Sequence, residues 1–470
     1  MTRNTDFAEK NVVVAGLGIA GFAAADALAD LGANVTVYDE TSNESMNERA
    51  QILDVLGVKV FLNWKNELPT NLDLVVASPG LSPSHPWFKA AQAKQIPIYG
   101  ELELAWRLRP LENPAPWLCV TGTNGKTTTT LMLASILKAS GLKVEAVGNI
   151  GDSIVSAVMN PTPAQVLAVE VGAPQLPFTY SMSPESAVVL NLAQDHVDFF
   201  GSFENYRNAK ARVYHQTKNS CIYNVQDLET EKMVAAADVV EGARAIGFTL
   251  SVPSPSMLGV IDDCLVDRAF IENRSDYAQE LATFDDIKPF APHNVANALA
   301  AAALARSIEV APAFVKQGLR EFEPAPHRIS LVREHNGVSF IDDSKATNTH
   351  AADTSLNAYQ SVIWIAGGLA KGQDFSELVS RHSQKIKAVV LLGKDRNLIR
   401  SAFQRIAPQT AIYEISETNE TAMRQVVDIA ADVAQKGDVV LLAPGCASWD
   451  MFKDYKARGQ AFEQAVQNLK

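Results

Sequence analysis

The chain has 470 residues, which at roughly 150 residues per domain predicts about three domains, each large enough to bury its own core. Hydrophobic residues make up 47% and charged residues 20%, the balance of a folded globular protein and too apolar for a disordered one. The formal net charge of -12 argues against bulk nucleic-acid binding, which needs clustered lysine and arginine. An anionic ligand must therefore be held by a local pocket.

The spacing of the cysteines and the length of the apolar stretches indicate in which cellular compartment the protein is expected. The four cysteines are widely spaced and form no Cys-x-x-Cys pair, so neither a zinc site nor a disulfide framework is predicted. Met1 to Lys10 lacks the apolar run of a signal peptide, and the most apolar later stretch, Ala298 to Ala305, is too short to span a bilayer. We expect a soluble cytoplasmic protein that neither inserts into a membrane nor binds nucleic acid.

Short apolar runs alternate with helical patterns along the chain, which is typical of parallel sheets with crossover helices. Proline-rich segments near residues 110–116 and 324–326 indicate linkers. We therefore predict domains at residues 1–110, 111–325 and 326–470. The predicted strands, in chain order, are Val12–Ala15, Val35–Tyr38, Leu74–Ala77, Trp117–Val120, Val166–Val169, Ala187–Leu190, Val338–Ile341, Val362–Ala366, Val389–Leu392 and Val439–Ala443.

A first glycine-rich loop, Gly16-Leu17-Gly18-Ile19-Ala20-Gly21, lies between the first strand and a helix predicted over Phe22–Asp30. Asp39 ends the next strand. Glycines let the backbone approach a pyrophosphate at a helix N-terminus, and a carboxylate can bind ribose hydroxyls, so the pattern predicts a dinucleotide or nucleotide-diphosphate site. The motif alone fits a nicotinamide dehydrogenase as well as another nucleotide ligand. Ser78-Pro79-Gly80 is a second turn at a strand's carboxyl end, where either a ligand contact or an ordinary βα turn is expected.

A second loop, Thr121-Gly122-Thr123-Asn124-Gly125-Lys126-Thr127-Thr128, follows a strand and precedes a helix predicted over Thr129–Ser140. Backbone N–H groups there would bind phosphates, Lys126 would reach the β and γ groups, and the Thr127 hydroxyl would hold Mg²⁺. Val120 stands where the ordinary phosphate loop has its first glycine, so this is a variant. The context predicts ATP binding.

Two further strands end in side chains that could bind a metal ion. Glu170 follows Val166–Val169, and His196 follows the strand that ends at Leu190. Either could be a structural residue alone, but strand-end ligands beside a phosphate loop are placed to bind Mg²⁺.

The run from Gly122 to Thr128 resembles the ATP loop of the Mur ligases and the folylpolyglutamate synthetases, which activate a carboxylate as an acyl phosphate and capture it with an amine. Polar clusters follow three later strands, at residues 342–348, 367–372 and 444–450, and together they favour a pocket for a small molecule that carries a carboxylate. The run from Asp343 to Asn348 and the motif from Cys446 to Gly459 resemble the D-glutamate-adding branch of the Mur ligase family. The resemblance covers essentially the whole chain. It implies an α/β fold of three domains: a Rossmann-like UDP-binding domain, a central ATPase domain of phosphate-loop type with a mostly parallel sheet, and a Rossmann-like C-terminal domain.

The resemblance also implies roles for residues. Asp195-His196 with Tyr206 to Arg212 resembles the segment whose lysine is carbamylated and binds a second Mg²⁺, which makes Lys210 that lysine. The implied catalytic residues are Lys126, Glu170, His196 and Lys210. Residues implied to bind ATP, besides Gly122 to Thr128, are Asn294, Asn297, Arg328, Asp343 and Lys345. Those implied for the UDP substrate are Gly18, Ile19, Ala20, Gly21, Asp39, Ser78, Pro79, Gly80, Asn149 and Gln175, and those for D-glutamate are Thr347, Lys371, Ser448, Trp449 and Tyr455.

The activity implied is ATP- and Mg²⁺-dependent ligation of D-glutamate to UDP-N-acetylmuramoyl-L-alanine by a monomer. The chain departs from the family pattern at three places: Gly172-Ala173-Pro174 replaces Ser-Ser-Phe, Leu369 replaces an Asp, and Tyr455 replaces a Phe. The rival hypotheses are a sister ligase for another amino acid, a two-nucleotide oxidoreductase, and a phosphate-loop switch protein that binds partners. Hydride chemistry at NAD(P)H would indicate the oxidoreductase, and hydrolysis independent of any amino acid would indicate the switch.

Overall fold

The computed structural model describes residue 3 and residues 6–69, 71–324, 327–417 and 421–469. The chain divides into two compact units, Met1–Phe322 and Glu323–Lys470. Within the described residues, no helix combines the length and the apolar composition needed to cross a bilayer.

The first sheet of the first unit has five parallel strands in the order β3-β2-β1-β4-β5. Its central strands are apolar and buried, as expected for a parallel sheet covered by helices on both faces. The strands are β1 Asn11–Ala15, β2 Asn34–Tyr38, β3 Lys59–Phe61, β4 Leu74–Ala77 and β5 Ile98–Gly100, and the helices are α1 Ile19–Asp30, α2 Glu44–Val55, α3 Pro86–Ala93 and α4 Glu101–Leu108.

The second sheet of this unit has nine strands in the order β14-β13-β12-β11-β10-β9-β6-β8-β7, and only the pairs β12–β13 and β13–β14 are antiparallel. The strands are β6 Trp117–Thr121, β7 Val144–Gly148, β8 Val166–Glu170, β9 Ser186–Val189, β10 Ser220–Asn224, β11 Arg244–Phe248, β12 Met257–Ile261, β13 Cys264–Asp267 and β14 Gln279–Thr283. The helices are α5 Lys126–Ala139, α6 Ile154–Met159, α7 Val197–Phe200, α8 Phe203–Ala211, α9 Leu228–Ala235, α10 Pro292–Arg306 and α11 Pro312–Glu321.

The register of the second sheet aligns three strand ends. Strand β6 lies between β8 and β9, with Val120 opposite Glu170 and Thr121 opposite Val189. Because the strands are parallel, the segments that follow them start from the same edge of the sheet. The phosphate loop, Glu170 and the segment that leads to His196 therefore all lie along this edge.

The second unit contains one sheet of six strands in the order β15-β16-β20-β17-β18-β19, antiparallel only between β15 and β16. The strands are β15 Ser330–His335, β16 Val338–Asp342, β17 Val362–Gly367, β18 Ile386–Leu392, β19 Ala411–Glu414 and β20 Val439–Leu442, and the helices are α12 Thr349–Asn357, α13 Ser376–His382, α14 Arg396–Ile406, α15 Ala422–Val433 and α16 Tyr455–Gln467. Apolar residues on both faces of this sheet form separate buried clusters.

The prediction of a three-domain α/β fold with mostly parallel sheets is confirmed. Each predicted strand is present within about one to three residues of its predicted bounds. Two helices begin earlier than predicted, α1 at Ile19 and α5 at Lys126, because their first turns are polar or glycine-rich and show no apolar periodicity. Helix α8 ends at Ala211 and continues as a short 3₁₀ turn over Arg212–Tyr214. The domain boundaries predicted at the proline segments stay predictions.

Candidate active site

The phosphate loop joins β6 to α5 and depends on glycine geometry. Gly125 caps the helix with a φ of +83°, and Gly122 has a φ of +157°. A Cβ at Gly125 would also lie 2.4 Å from Oδ1 of Asn297 on α10. Glycine is required there because both the backbone conformation and the space exclude a side chain. The open first turn of α5 presents its backbone N–H groups at the end of the loop, where an anion binds.

Side chains from the segment after β9 and from helix α8 hold the loop in place. The Asn124 N–H donates to Oδ1 of Asn191 at 2.9 Å, and Asn191 Nδ2 donates back to the Asn124 carbonyl at 3.1 Å. The Thr123 hydroxyl lies 3.0 Å from the hydroxyl of the buried Tyr206. The loop is thus fixed by the structure that surrounds it, as a preorganised phosphate site requires.

Two lysines converge on the carbonyl oxygen of Gly122. Lys126 Nζ donates to it at 2.9 Å and to the Thr123 carbonyl at 3.0 Å, and Lys210 Nζ donates to it at 2.8 Å. Lys210 is 1% exposed. Burial, and next the ammonium of Lys126, lower the pKa of Lys210 well below its ordinary value. Burial and the neighbouring ammonium therefore favour the neutral amine at Lys210 more than at an exposed lysine.

Glu170, at the end of β8, is a buried carboxylate of which only one oxygen accepts a hydrogen bond. Its Oε1 accepts a hydrogen bond from Asn149 Nδ2 at 2.7 Å, while its Oε2 is buried and has no hydrogen-bond partner among the described residues. A buried unpaired carboxylate oxygen is costly unless a cation satisfies it. Glu170 therefore fits a Mg²⁺ ligand, and the contact with Asn149 orients it.

His196 precedes α7 with a φ of +51°, and its ring centroid lies 6.1 Å from that of Tyr206. Tyr206 contacts Thr123 of the phosphate loop, so the structure brings His196 to the side of that loop. The ring of Tyr206 also lies 4.9 Å from Lys210 Nζ. On α10, Asn297 contacts the loop at Gly125, and its Nδ2 donates to Asn294 Oδ1 at 3.3 Å.

The first glycine-rich loop is packed against two of its predicted partners. Asp39 Oδ2 accepts from the Leu17 N–H at 2.8 Å, and its Oδ1 accepts from Thr41. A Cβ at Gly16 would lie 2.7 Å from Cβ of Ser78, and one at Gly21 would lie 1.9 Å from the Gly16 carbonyl oxygen. Ile19 is exposed at the start of α1, and nothing lies within 4 Å of a Cβ built at Gly80. This edge of the first sheet is open to a ligand.

In the second unit, three loops meet at the carboxyl edge of the sheet. Leu369 and Ala447 form an isolated antiparallel bridge, in which the backbone N–H of each residue donates to the carbonyl of the other, with N···O distances of 2.9 and 3.0 Å. The Lys371 ammonium lies 4.4 Å from the ring centroid of Trp449, and that of Lys345 lies 4.1 Å from that of Tyr455. Two predicted D-glutamate residues, Lys371 and Trp449, are therefore in contact.

The loop after β16 carries Asp343, which is buried and accepts a hydrogen bond from Ser355. Burial raises the pKa of Asp343 to about 6, and the nearby Arg328 charge opposes that rise. His327 Nδ1 contacts Asp342 Oδ2 at 2.6 Å. The Arg328 and Asp343 predicted for the ATP side thus lie close to each other, whereas Thr347 and Ser448 lie on separate loops of the same edge.

Comparisons with known proteins follow the same three-part division. The profile of a Mur ligase MurD-like N-terminal domain matches residues 10–100, that of the Mur ligase middle domain matches residues 120–305, and that of the Mur ligase glutamate ligase domain matches residues 327–446. A UDP-N-acetylmuramoylalanine--D-glutamate ligase of Streptomyces coelicolor is 52% identical over 99% of this chain and 99% of its own length. The chain belongs to the Mur ligase family.

Other Mur ligases agree with this assignment. A protein of the same name from Streptomyces avermitilis is 52% identical over 99% of this chain and 99% of its own. The crystal structure of a UDP-N-acetylmuramate-alanine ligase from Thermotoga maritima has a TM-score of 0.60 at 20% identity, and the match covers 98% of this chain and all of that one. That structural likeness shows the shared fold.

Two residues predicted to bind the UDP substrate have protein partners in this Mur ligase. Asn149 contacts Glu170, as described above. Gln175 is buried: its Nε2 donates to Glu101 Oε2 at 2.7 Å, and its Oε1 accepts from the Gly172 N–H at 2.7 Å. Their roles toward the substrate stay predictions.

Sequence reasoning missed three contributors to the site: Asn191, Tyr206 and Glu101. Asn191 and Tyr206 contact the phosphate loop, and Glu101 contacts Gln175 and Ser153. Asn191 gave a signal, since it follows a strand predicted to end at that edge. Tyr206 and Glu101 lie within helices, where nothing in the local pattern distinguishes them from packing residues.

Proposed function

We propose that this chain is an ATP-dependent acid--D-amino-acid ligase that adds D-glutamate to UDP-N-acetylmuramoyl-L-alanine in cytoplasmic peptidoglycan precursor synthesis. The free carboxylate of the alanine attacks the γ-phosphorus of ATP, which gives an acyl phosphate and ADP. The amine of D-glutamate then attacks the acyl carbon, phosphate leaves, and an amide forms. The observation that carries the proposal is the 52% identity over nearly the whole chain to relatives that bear the name of this ligase.

The phosphate-loop contacts support the ATP half of the reaction. The glycines at 122 and 125 open the loop, and Lys126 lies along it with its ammonium at the Gly122 and Thr123 carbonyls. In this role Lys126 exchanges those carbonyls for phosphate oxygens and stabilises the charge of the transferring group. Asn297, which touches Gly125, and Asn294 would line the nucleotide beside the loop.

The donor set beside the loop fits Mg²⁺. Thr127, Glu170, His196 and a carbamate on Lys210 would hold the ions, and Glu170 has the unpartnered buried oxygen that such a site needs. Bound Mg²⁺ would offset negative charge on the phosphoryl group. Lys210 as an ammonium would repel a cation, whereas its carbamate is an anionic oxygen ligand. The buried, pKa-lowered amine suits carbamate formation, because CO₂ adds only to the neutral amine.

The substrate residues divide between the units. The open loop from Gly18 to Gly21, with Asp39 and the turn Ser78 to Gly80, would bind the uridine nucleotide. Lys371 and Thr347 would bind the α-carboxylate of D-glutamate, and Ser448 and the backbone near Tyr455 would bind its side-chain carboxylate. Trp449 belongs to the same pocket through its contact with Lys371. Arg328, Asp343 and Lys345 would face ATP.

A single substitution tests the division between nucleotide and UDP sites. Lys126→Ala should abolish product formation, yet calorimetry should show UDP-N-acetylmuramoyl-L-alanine binding within about twofold of wild type, because the uridine loop lies on a different sheet. Lys138→Ala, an exposed lysine at the other end of α5, is the matched control and should keep activity. Equal loss of synthesis and of UDP-substrate binding in Lys126→Ala would contradict the division. A thermal shift of the wild type with NAD but not with UDP-sugar would contradict the uridine assignment.

A further inference from the structure

The loop that carries Lys371 is fixed at its backbone but not at the end of its side chain. The Ala370 N–H donates to Asp395 Oδ2 at 2.8 Å, and the Ala370 carbonyl accepts from Gln373 Nε2 at 2.9 Å. The bridge between Leu369 and Ala447 anchors the loop on its other side. Lys371 itself has a φ of +51° and is exposed. A four-carbon side chain on this rigid base would sample many rotamers unless something holds it.

The indole of Trp449 is placed to hold it. Lys371 Nζ lies 4.4 Å from the ring centroid, within the range of a cation–π contact. Among the residues described here, no carboxylate lies within ion-pair distance of Lys371, and no oxygen accepts a hydrogen bond from it. The Lys371 ammonium therefore contacts the indole ring on one side, and its N–H groups can donate to a ligand.

Trp449 has no evident packing role that would explain a tryptophan. It is 65% exposed, while its neighbour Ser448 is buried. Exposing the apolar indole ring to water is unfavourable, and the contact with the lysine ammonium over its face is the favourable interaction that offsets this exposure. Ser448 and Ala447 fix the backbone on which the indole stands, because the Ser448 carbonyl accepts the N–H groups of Met451 and Phe452 at 3.0 and 2.9 Å.

We propose that Trp449 is a positioning residue that holds the Lys371 ammonium ready for a carboxylate of the amino-acid substrate. This inference rests on the proposed function, since it assigns Lys371 to D-glutamate. Trp449 acts through Lys371 and touches no reacting atom, so its removal raises the KM for D-glutamate and leaves kcat and the KM for ATP unchanged.

The test is a double-mutant cycle in the intact enzyme. Trp449→Leu should raise the KM for D-glutamate about threefold, equivalent to about 0.7 kcal/mol. Trp449→Phe should keep a KM close to that of the wild type, because phenylalanine retains an aromatic face for the ammonium. In a Lys371→Met background, Trp449→Leu should have no further effect on kcat/KM. Tyr413→Leu, which removes an exposed aromatic ring from β19, is the control and should change nothing.

A second readout does not depend on catalysis. The intact, unliganded protein is treated with an N-hydroxysuccinimide ester, and mass spectrometry measures the rate of acylation at Lys371. This rate should be higher in Trp449→Leu than in the wild type and unchanged in Tyr413→Leu. A KM effect that persists in the Lys371→Met background, or unaltered KM and Lys371 reactivity in Trp449→Leu, overturns the proposal. If the wild type does not ligate D-glutamate, the proposed function fails, and the acylation rates still decide whether Trp449 holds Lys371.

Discussion

At the scale of single residues, the environment of Lys210 decides its chemistry. It is buried, donates to the Gly122 carbonyl at 2.8 Å, and lies near the ammonium of Lys126. A permanent ammonium there would be held at an electrostatic cost beside a second cation. Conversion to a carbamate, as proposed above, would remove that repulsion and supply an anionic ligand.

Lys210→Ala should therefore lower kcat about 100-fold, as expected when a group that holds or orients a metal ion is lost. Acetate added to the assay should restore part of the activity by filling the vacated position with a carboxylate. Lys218→Ala, an exposed lysine that follows the same helix, is the control and should keep activity. Wild-type turnover in Lys210→Ala, or an unmodified Lys210 mass in the intact Mg²⁺-loaded enzyme, would contradict the carbamate.

The buried pair His327–Asp342 predicts a pH dependence of stability. The hydrogen bond to Asp342 is the largest cause that raises the pKa of His327 above its ordinary 6.5, and burial opposes it. A raised folded-state pKa means that this contribution is full below about pH 6.5 and declines as the pH rises through the folded-state pKa. In urea unfolding of the whole chain, His327→Gln should cost about 2 kcal/mol at pH 5.5 and less at pH 8.5. A cost that grows with pH would refute this linkage.

At the scale of elements, the packing of α11 on α5 leaves no room for a side chain at Gly318. A Cβ there would lie 2.3 Å from Ile136 Cα and 2.6 Å from its N, and Ser135 Oγ donates to the Gly318 carbonyl at 2.7 Å. Gly318→Ala would force the helices apart, so we expect the free energy of unfolding to fall by about 1–3 kcal/mol in denaturant titration. Gln317→Ala, one residue away on the exposed face, should change it by about 0.5 kcal/mol or less. Equal stability of Gly318→Ala and the wild type would show that the two helices can separate at no cost.

Strand positions could be predicted because the central strands are short and apolar, whereas the order and register that place β6 between β8 and β9 could be read only from the structure. The strands β12 to β14 escaped prediction, because Gly259 interrupts the apolar run of β12 and because β13 and β14 are short and carry polar residues. The phosphate loop could be predicted from its residues and its position between a strand and a helix, although its first glycine departs from the ordinary spacing. Contacts between distant elements could not: the hydrogen bond of Tyr206 with Thr123 and that of Gln175 with Glu101 join residues 83 and 74 positions apart.

At the scale of the whole molecule, each of the three sheets has loops rich in glycine and polar side chains at the carboxyl ends of its parallel strands. The first carries the glycine-rich loop that is proposed to bind the uridine nucleotide, and the second carries the phosphate loop and the Glu170 carboxylate that fits Mg²⁺. The third carries lysines whose ammonium groups meet aromatic rings. Under the proposed function, that division accounts for a dinucleotide-type motif in a chain that also has a separate phosphate loop. It would also place amino-acid choice in the second compact unit.

The most direct test of the proposed function is phosphate release by the wild-type enzyme with MgATP and UDP-N-acetylmuramoyl-L-alanine, one amino acid at a time. The panel should contain D-glutamate, L-glutamate, L-alanine, L-lysine and meso-diaminopimelate, with product mass measured in each reaction. We predict phosphate and the amide product with D-glutamate, and neither with the others. Product with another amino acid and not with D-glutamate, or phosphate release that needs no amino acid, would contradict the account.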